Sequence, residues 1–440
     1  MSRPRKNNPD HTRRHNMPAP SSEAIEAHLS DLLSPVVHEQ LKYYRQLGLR
    51  QRILGLPLMV AAVLSLLWRQ IPSVRELGRT LAREDLLWCR AVKVSQQALS
   101  KRFLEFPASM FEQVLWDLVE ELKRRWTNRV VRPLPASVAW TFQRFEHIWL
   151  VDGSTLEALF RKLKSLQEQP ITLAGKIYTI VDMASHLPVA IRFEENPNAA
   201  DRNQWEWLHS TLPKGGLLIF DRGFYDFAEF SALVKAGSAW ITRLKKGTYQ
   251  VQKTFSQSAN LVDQLVLLGH KRGKAKQITV RLVQVRHGPS WHSYITSVLE
   301  PGDLPPYVVA DLYCRRWEIE TAFFLIKRLL NLAYIWTGSL NGVKLQIWAT
   351  WLFYAVLLDL ADDVADSLEL PTERISLEML FRGFYHFTVA STRGNNQSLI
   401  EYFCDPLNQD LGIVKTLRKA KGSQKLDLSP FPGLTFVPSS

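Results

Sequence analysis

The stretch DLYCRRWEIETAFFLIKRLL, residues 311–330, carries two stripes on what reads as one helix. Tyr313, Arg316, Glu320 and Lys327 follow at intervals of three, four and seven residues. At ~100° per residue they fall within an arc of about 60°. Leu312, Ile319, Phe323, Ile326 and Leu330 form a second arc centred roughly 80° away, the apolar stripe that docks a helix on a core. The polar line therefore lies at the rim of the buried face. Glu318 projects from the opposite side and is expected to be solvated, which makes Glu320 the candidate for chemistry. An acid flanked by Arg, Lys and Tyr suits a divalent cation beside phosphates, with the carboxylate on the metal and the other side chains on phosphate oxygens. An ordinary amphipathic helix with charged pairs has the same residue types.

Upstream, residues 146–152, EHIWLVD, form an apolar run ending in Asp152. Segments 176–181 and 187–193 read as a hairpin, with turn chemistry in ASHLP between them. Residues 199–212 are helical, 216–220 form a buried strand ending at Asp221, 227–235 are helical again, and 239–244 form a strand. This alternation is that of an α/β core. Asp152 and Asp221 are each read as the first polar residue after an apolar strand, so adjacent parallel strands would bring them together. A facing helix would add the third carboxylate that two-metal phosphoryl transfer needs. An acid after a strand also serves as a turn former or helix cap; Asp182, at the hairpin turn, and Asp226, before the helix at 227, are read that way. The chain has no phosphate-binding Gly-rich loop, no His-Glu-x-x-His and no Ser or Cys nucleophile motif, which argues against an ATPase, a zinc protease or a serine recombinase.

Tyr, two residues, Arg, three residues, Glu, six residues, Lys resembles the signature of transposases of the insertion-sequence-four family, and RRWEIE with the following FF and IK adds to it. VDGST and DRGF resemble the motifs around that family's first and second catalytic aspartates. The resemblance covers roughly residues 140–350. It implies a ribonuclease-H-like core in which Asp152, Asp221 and Glu320 are catalytic and hold two Mg²⁺ ions, with Mn²⁺ as a substitute. Arg316 and Lys327 would hold phosphates near the scissile bond, and Tyr313 would make a phosphate or stacking contact. The activity implied is DNA cleavage and strand transfer at transposon inverted repeats, by a cut-and-paste pathway through a hairpin intermediate. The implied partners are double-stranded DNA, both transposon ends and target, and a second copy of the chain in a synaptic homodimer. The family also places a Trp in its insertion to stack on a flipped base. Trp291, 29 residues before Glu320, stands at a comparable distance, with Trp240 and Trp317 as alternatives. A transposase-derived DNA-binding protein without catalysis and a two-metal nuclease are the competing readings.

Across the 440 residues, 55 Lys and Arg against 42 Asp and Glu leave a formal charge of +13. That excess, spread along the chain, points to nucleic acid rather than membrane. Cys89, Cys314 and Cys404 lie far apart, with neither zinc spacing nor an even total for disulfides, so a reducing cytoplasm is expected; the resemblance implies a bacterial one, with nucleoid association. Residues 53–68 lack charge but contain Pro57 and fall short of the ~20 residues that span a bilayer, so they read as a buried helix, as do 348–358. No secretory signal is expected at the N-terminus.

The expected organisation starts with a flexible basic arm over 1–20 and a helical, DNA-binding region over 21–135. There, Ser73 caps one helix and Ser95 another, whose Gln96, Gln97, Ser100, Lys101 and Arg102 are expected to reach bases and phosphates in a helix-turn-helix; a plain helical bundle is the alternative. The first part of the catalytic core covers 136–244. A β-rich insertion follows over 245–306, with the alternating run QITVRLVQVR slipping at Leu282 and Val283 and a basic turn HKRGKAK at 270–276. The second part of the core with further helices occupies 307–390, and 391–440 form a basic C-terminal tail without periodicity.

Overall fold

The computed structural model describes residues 19, 21–49, 52–156, 175–196, 198–212, 214–245, 247–269, 277–287, 289–330 and 339–416. The arm before residue 19, the basic turn at 270–276 and the tail beyond 416 lie outside them. The chain divides into two compact units, the first comprising residues 1–118, 328–357 and 378–411 and the second residues 119–327, 358–377 and 412–440.

The first unit is helical. Its helices include α1 (Glu23–Glu39), α2 (Leu41–Gln46), α3 (Leu56–Trp68), α4 (Val74–Leu81), α5 (Gln96–Glu105) and the start of α6 (Ala108–Asn128). The side chain of Ser73 accepts a hydrogen bond from the Glu76 amide at 3.1 Å, and that of Ser95 accepts one from the Ala98 amide at 3.1 Å, so both expected caps are in place. Residues 56–68 are buried apart from half-buried Pro57, as their uniform apolarity requires. On α5, Lys101 is exposed, with a loose pair to Glu105 at 3.8 Å. Arg102 departs from expectation: its Nε donates to the Leu54 carbonyl at 2.9 Å, its Nη2 to the Tyr44 hydroxyl at 2.6 Å, and its guanidinium lies 4.7 Å from the Phe106 ring centre. A guanidinium on an aromatic face with two fixed acceptors is a packing element.

The second unit is built on a nine-stranded sheet in the order β3-β2-β1-β4-β5-β9-β8-β7-β6. Before it comes the short helix α7 (Ala136–Thr141). β1 (His147–Thr155), β2 (Lys176–Asp182) and β3 (Pro188–Glu194) form a meander, joined by α8 (Trp205–Thr211) to β4 (Gly216–Phe220) and by α9 (Phe227–Lys235) to β5 (Ala239–Arg243). β1, β4 and β5 run parallel. All five residues of β4 are buried, the continuous apolar run of a strand covered on both faces. One face of the sheet packs Trp149, Val151, Tyr178, Phe220 and Trp240 against Trp205, Leu208, Phe230 and Leu233 of α8 and α9.

The β-rich segment does not form a separate body. β6 (Tyr249–Gln257), β7 (Leu261–Leu268), β8 (Ile278–His287) and β9 (Ser290–Thr296) extend the same sheet, because β9 pairs antiparallel with β5. The slip at Leu282 and Val283 is not a bulge: pairing with both neighbours is continuous, and both residues are buried on an interior strand covered on its two faces. Beside them Arg281 is fully buried in a bidentate pair with Asp263, at 2.7 Å for each bond.

Past α10 (Pro306–Arg315) and α11 (Trp317–Leu330), α12 (Leu340–Ser367) is long and apolar enough to cross a membrane, yet its most apolar stretch is almost wholly buried in the protein. Its Asp359 and Asp362 take Arg129 at 2.7 and 3.0 Å, and Arg132 joins Asp362, so these basic residues serve the interior. The segment after 390 differs from an aperiodic tail. α13 (Leu377–Thr392) is followed by α14 (Leu399–Cys404), which Ser398 and Glu401 start with a capping box. Lys415 donates to the Glu373 carbonyl at 2.8 Å and is not a free basic group.

These partners separate Lys101 from Arg102 experimentally. Arg102→Ala should destabilise the chain by about 1–3 kcal/mol, because it removes the donor to the Leu54 carbonyl and one donor to the Tyr44 hydroxyl together with the packing on Phe106. Lys101→Ala should stay within about 0.5 kcal/mol of wild type, as exposed positions do. Urea unfolding of both variants reads the difference.

Candidate active site

Parallel pairing of β1 with β4 sets Val151 opposite Phe220, so the next residues, Asp152 and Asp221, stand side by side at the carboxyl edge of the sheet. Asp221 follows β4 directly and opens a 3₁₀ turn, Arg222–Phe224. Asp152 is not the first residue after its strand, because β1 continues to Thr155 through pairing with β2. Its Oδ1 accepts the Gly153 amide at 2.8 Å.

Residues 311–330 are two helices rather than one, α10 and α11, joined at Arg316. The Arg316 amide donates to the Tyr313 carbonyl at 3.1 Å and the Ile319 amide donates to the Arg316 carbonyl at 3.2 Å, the three-residue spacing of a tighter turn. The break turns Arg316 inward. Its Nη1 donates to Asp152 Oδ2 at 2.6 Å and its Nη2 to Glu320 Oε1 at 2.9 Å, with only 7% of the side chain exposed. The Tyr313 hydroxyl donates to Asp221 Oδ1 at 3.2 Å, and its ring lies 5.1 Å from that of Tyr294 on β9. Asp152, Asp221, Tyr313, Arg316 and Glu320 therefore meet at one place, with Leu312, Ile319, Phe323 and Ile326 buried beneath them. Lys327 is half-buried two turns beyond Glu320 on α11.

Glu318 is not solvated. It accepts from Arg315 at 3.2 Å, within a second network in which Arg315 also holds Asp311 and Glu373 and His186 approaches Glu318 at 3.6 Å. Burial pushes the Glu318 carboxyl up to about 8 against the pull of Arg315. Its position opposite Glu320 is as the helical spacing requires; the second packed surface is what sequence periodicity lacked.

Burial is also the main force on Asp152, pushing its carboxyl up to about 6, with Asp221 and Glu320 adding to it and Arg316 and the Gly153 amide opposing. Burial works against the charge on Arg316, but Asp152, followed by Tyr313 and Asp221, holds it above its ordinary value. Tyr313 is pushed up to about 12 by burial and remains a neutral donor near neutrality. Among the described residues, no three His, Cys, Asp or Glu side chains stand close enough to share one cation. Asp152 and Glu320 share a guanidinium, and Asp221 takes the Tyr313 hydroxyl.

Trp291 is 43% exposed on β9, opposite Arg286. Because β9 runs antiparallel to β5, Trp291 lies toward the sheet edge that carries Asp152 and Asp221. Trp240 is fully buried and donates to the Phe230 carbonyl at 3.2 Å, which removes it as a surface aromatic. Trp317, 62% exposed, adjoins Arg316. The Tyr294 contact had no sequence signal, since it depends on β9 lying against α10.

The raised Asp152 carboxyl has a pH signature. Its folded value, about 6, exceeds its ordinary 3.8, so the stability it contributes is complete below 3.8 and is lost as the pH rises through about 6. Relative to Asp152→Asn, which cannot titrate, the wild type in EDTA should lose up to about 3 kcal/mol between pH 4 and 7. Parallel pH profiles in urea unfolding would show that burial does not raise this group.

Residues 148–356 match the family described as transposase DDE domain. A Sinorhizobium fredii (strain NBRC 101917 / NGR234) protein named "Putative transposase y4zB" is 27% identical over 154 residues, 33% of this chain and 43% of that protein. Transposase InsG for insertion sequence element IS4, from Escherichia coli (strain K12), is 26% identical over 188 residues, 41% of this chain and 42% of its own length. "Putative transposase for insertion sequence element IS4SA", from Synechocystis sp. (strain ATCC 27184 / PCC 6803 / Kazusa), is 22% identical over 186 residues, 41% of this chain and 52% of its own. The chain thus spans about half the length of the relatives it matches. Both aspartates, Tyr313, Arg316 and Glu320 lie inside residues 148–356, the segment that is similar to the transposase DDE domain family and to transposases of IS4-type insertion sequences.

Proposed function

We propose that this chain is a transposase that cuts and joins double-stranded DNA at the inverted repeats of a mobile element, using divalent cations held by Asp152, Asp221 and Glu320. The observation that carries the reading is the convergence at Arg316, whose guanidinium bonds Asp152 at 2.6 Å and Glu320 at 2.9 Å while Tyr313 holds Asp221. Meander, helix, strand, helix, strand, with β1, β4 and β5 parallel, supports a ribonuclease-H-like core.

The donors suit a hard divalent cation such as Mg²⁺ or Mn²⁺: all three are carboxylates, and a cation beside Asp152 would offset the burial that raises its carboxyl. Bound cations would supply Lewis acidity, lowering the pKa of an attacking water or DNA 3′-hydroxyl and stabilising the leaving oxygen. Tyr313 orients the Asp221 carboxylate. Arg316, held among the carboxylates, supplies positive charge for a phosphate oxygen near the scissile bond. Lys327, further along α11, adds a cation for the DNA backbone. Trp291, exposed beyond the carboxyl edge, supplies a face on which a flipped base can stack during hairpin formation, worth about 1–3 kcal/mol per base. Exposed Lys101 on α5 is a backbone contact in the helical region, a role that Arg102 leaves to it. A synaptic homodimer acting in a bacterial cytoplasm completes the reading.

The test incubates the purified chain and Mg²⁺ with labelled DNA carrying the flanking inverted repeats. Cuts are expected at the repeat boundary. Asp152→Ala, Asp221→Ala and Glu320→Ala should each reduce cutting to background while DNA retention persists, because each removes a cation ligand and no backbone contact. Glu318→Ala should lower the melting temperature and keep cutting. Retention without cutting by the wild type would favour a DNA-binding protein without catalysis; cutting indifferent to the repeats would favour a nuclease.

A further inference from the structure

Side chains alternate across a strand, so Asp152 faces Arg316 while Gly153 faces the other side of the sheet. There Gly153 sits opposite Tyr178 of β2, and a Cβ on it would lie 2.6 Å from the Tyr178 ring and 3.1 Å from Cε of Lys176. Lys176 Nζ pairs with the Asp201 carboxylate, donates to the Ala199 carbonyl at 3.3 Å and lies 4.9 Å from the Tyr178 ring centre. The Tyr178 hydroxyl closes the network on the same carbonyl at 3.0 Å. Asp201 in turn rests on Gly223 so closely that a Cβ there would overlap its carboxylate. Gly223 is two residues beyond Asp221. One ion pair therefore bears on the residue after Asp152 and on the turn that follows Asp221.

Backbone pairing fixes β1 and β4 only as far as Val151 and Phe220, and Asp221 lies past the last paired residue. Past that pairing the turn is held by the Phe224 amide on the Asp221 carbonyl at 3.1 Å, by Trp205 Nε1 on the Phe224 carbonyl at 3.1 Å and by Asp201 against Gly223. We propose that Lys176 and Asp201 are positioning residues that set the separation of the Asp152 and Asp221 carboxylates for divalent cation, and that Gly153 and Gly223 let the pair close on the β1 residue beside Asp152 and on the turn after β4. The proposal rests on reading those two aspartates as cation ligands. Ligand-supporting groups of this kind hold side chains in a geometry that a cation then finds ready-made.

The test is Mn²⁺ binding to the full chain without DNA, followed by electron paramagnetic resonance of the free ion, with melting temperature and DNA retention measured on the same samples. Lys176→Met and Asp201→Asn should each weaken Mn²⁺ binding by about 10–100-fold, with a small change in melting temperature and unaltered DNA retention. Gly223→Ala keeps both charges but displaces the carboxylate, and should weaken binding likewise; it decides the matter if either charge variant fails to fold. Wild-type Mn²⁺ affinity in the folded variants, alongside loss of binding in Asp152→Ala, overturns the positioning role alone. Wild-type affinity in Asp152→Ala as well overturns the ligand reading and the proposal with it.

Discussion

The buried guanidinium of Arg316 is the interaction on which the candidate site depends. A carboxylate on a strand and another on a helix repel each other, and burial raises the cost of charging either. Arg316 answers both with one planar group, its two Nη donors reaching Asp152 and Glu320 at the same time. Reaching them requires the chain to leave regular helix at Arg316 itself, where the bonds shorten to three-residue spacing. The break between α10 and α11 and the convergence of the acids are one feature. Truncating the side chain would leave two half-buried acids facing each other, so Arg316 holds the site together whatever it does for a phosphate.

The sheet supplies the other half of the geometry. Parallel pairing of β1 and β4 places two aspartates at one edge without any direct contact between them, and β5 continues that edge to β9. Joining the β-rich segment to the same sheet has a functional consequence, since the strand that bears Trp291 also bears Tyr294, which packs on Tyr313 beside Asp221. A change in β9 is thereby coupled to the orientation of a candidate ligand. The fully buried Arg281–Asp263 pair, with Arg281 also donating to the Leu304 carbonyl at 2.6 Å, anchors the segment that leads from β9 into α10.

Much was legible in the sequence because it follows from local rules. Ser73, Ser95 and Asp226 cap helices where short polar side chains precede an apolar period, and Asp182 bonds its own turn. The strand Gly216–Phe220 and the helix Phe227–Lys235 appear at the expected residues, since continuous apolar runs and 3.6-residue periods depend only on spacing. The spacing of Tyr313, Arg316 and Glu320 likewise selected the side chains that gather at the sheet edge, because a break at Arg316 rotates the line without scattering it.

What the sequence by itself determined was the order of the elements in the parallel core, the choice of Asp152 and Asp221 on two of its apolar strands and the helical line that faces them, although Asp152 lies within its strand and only Asp221 follows one. The tertiary structure alone decided which charges are buried. Glu318 and Arg102 occupy positions that periodicity leaves facing solvent, and both are covered by segments far away in the chain: Glu373 and His186 around the network of Glu318, Tyr44 and Leu54 around Arg102. Periodicity describes one packed face per element, whereas burial is the sum over every neighbour that the fold brings near. Only that sum sets whether a charged side chain meets water, a partner or another acid.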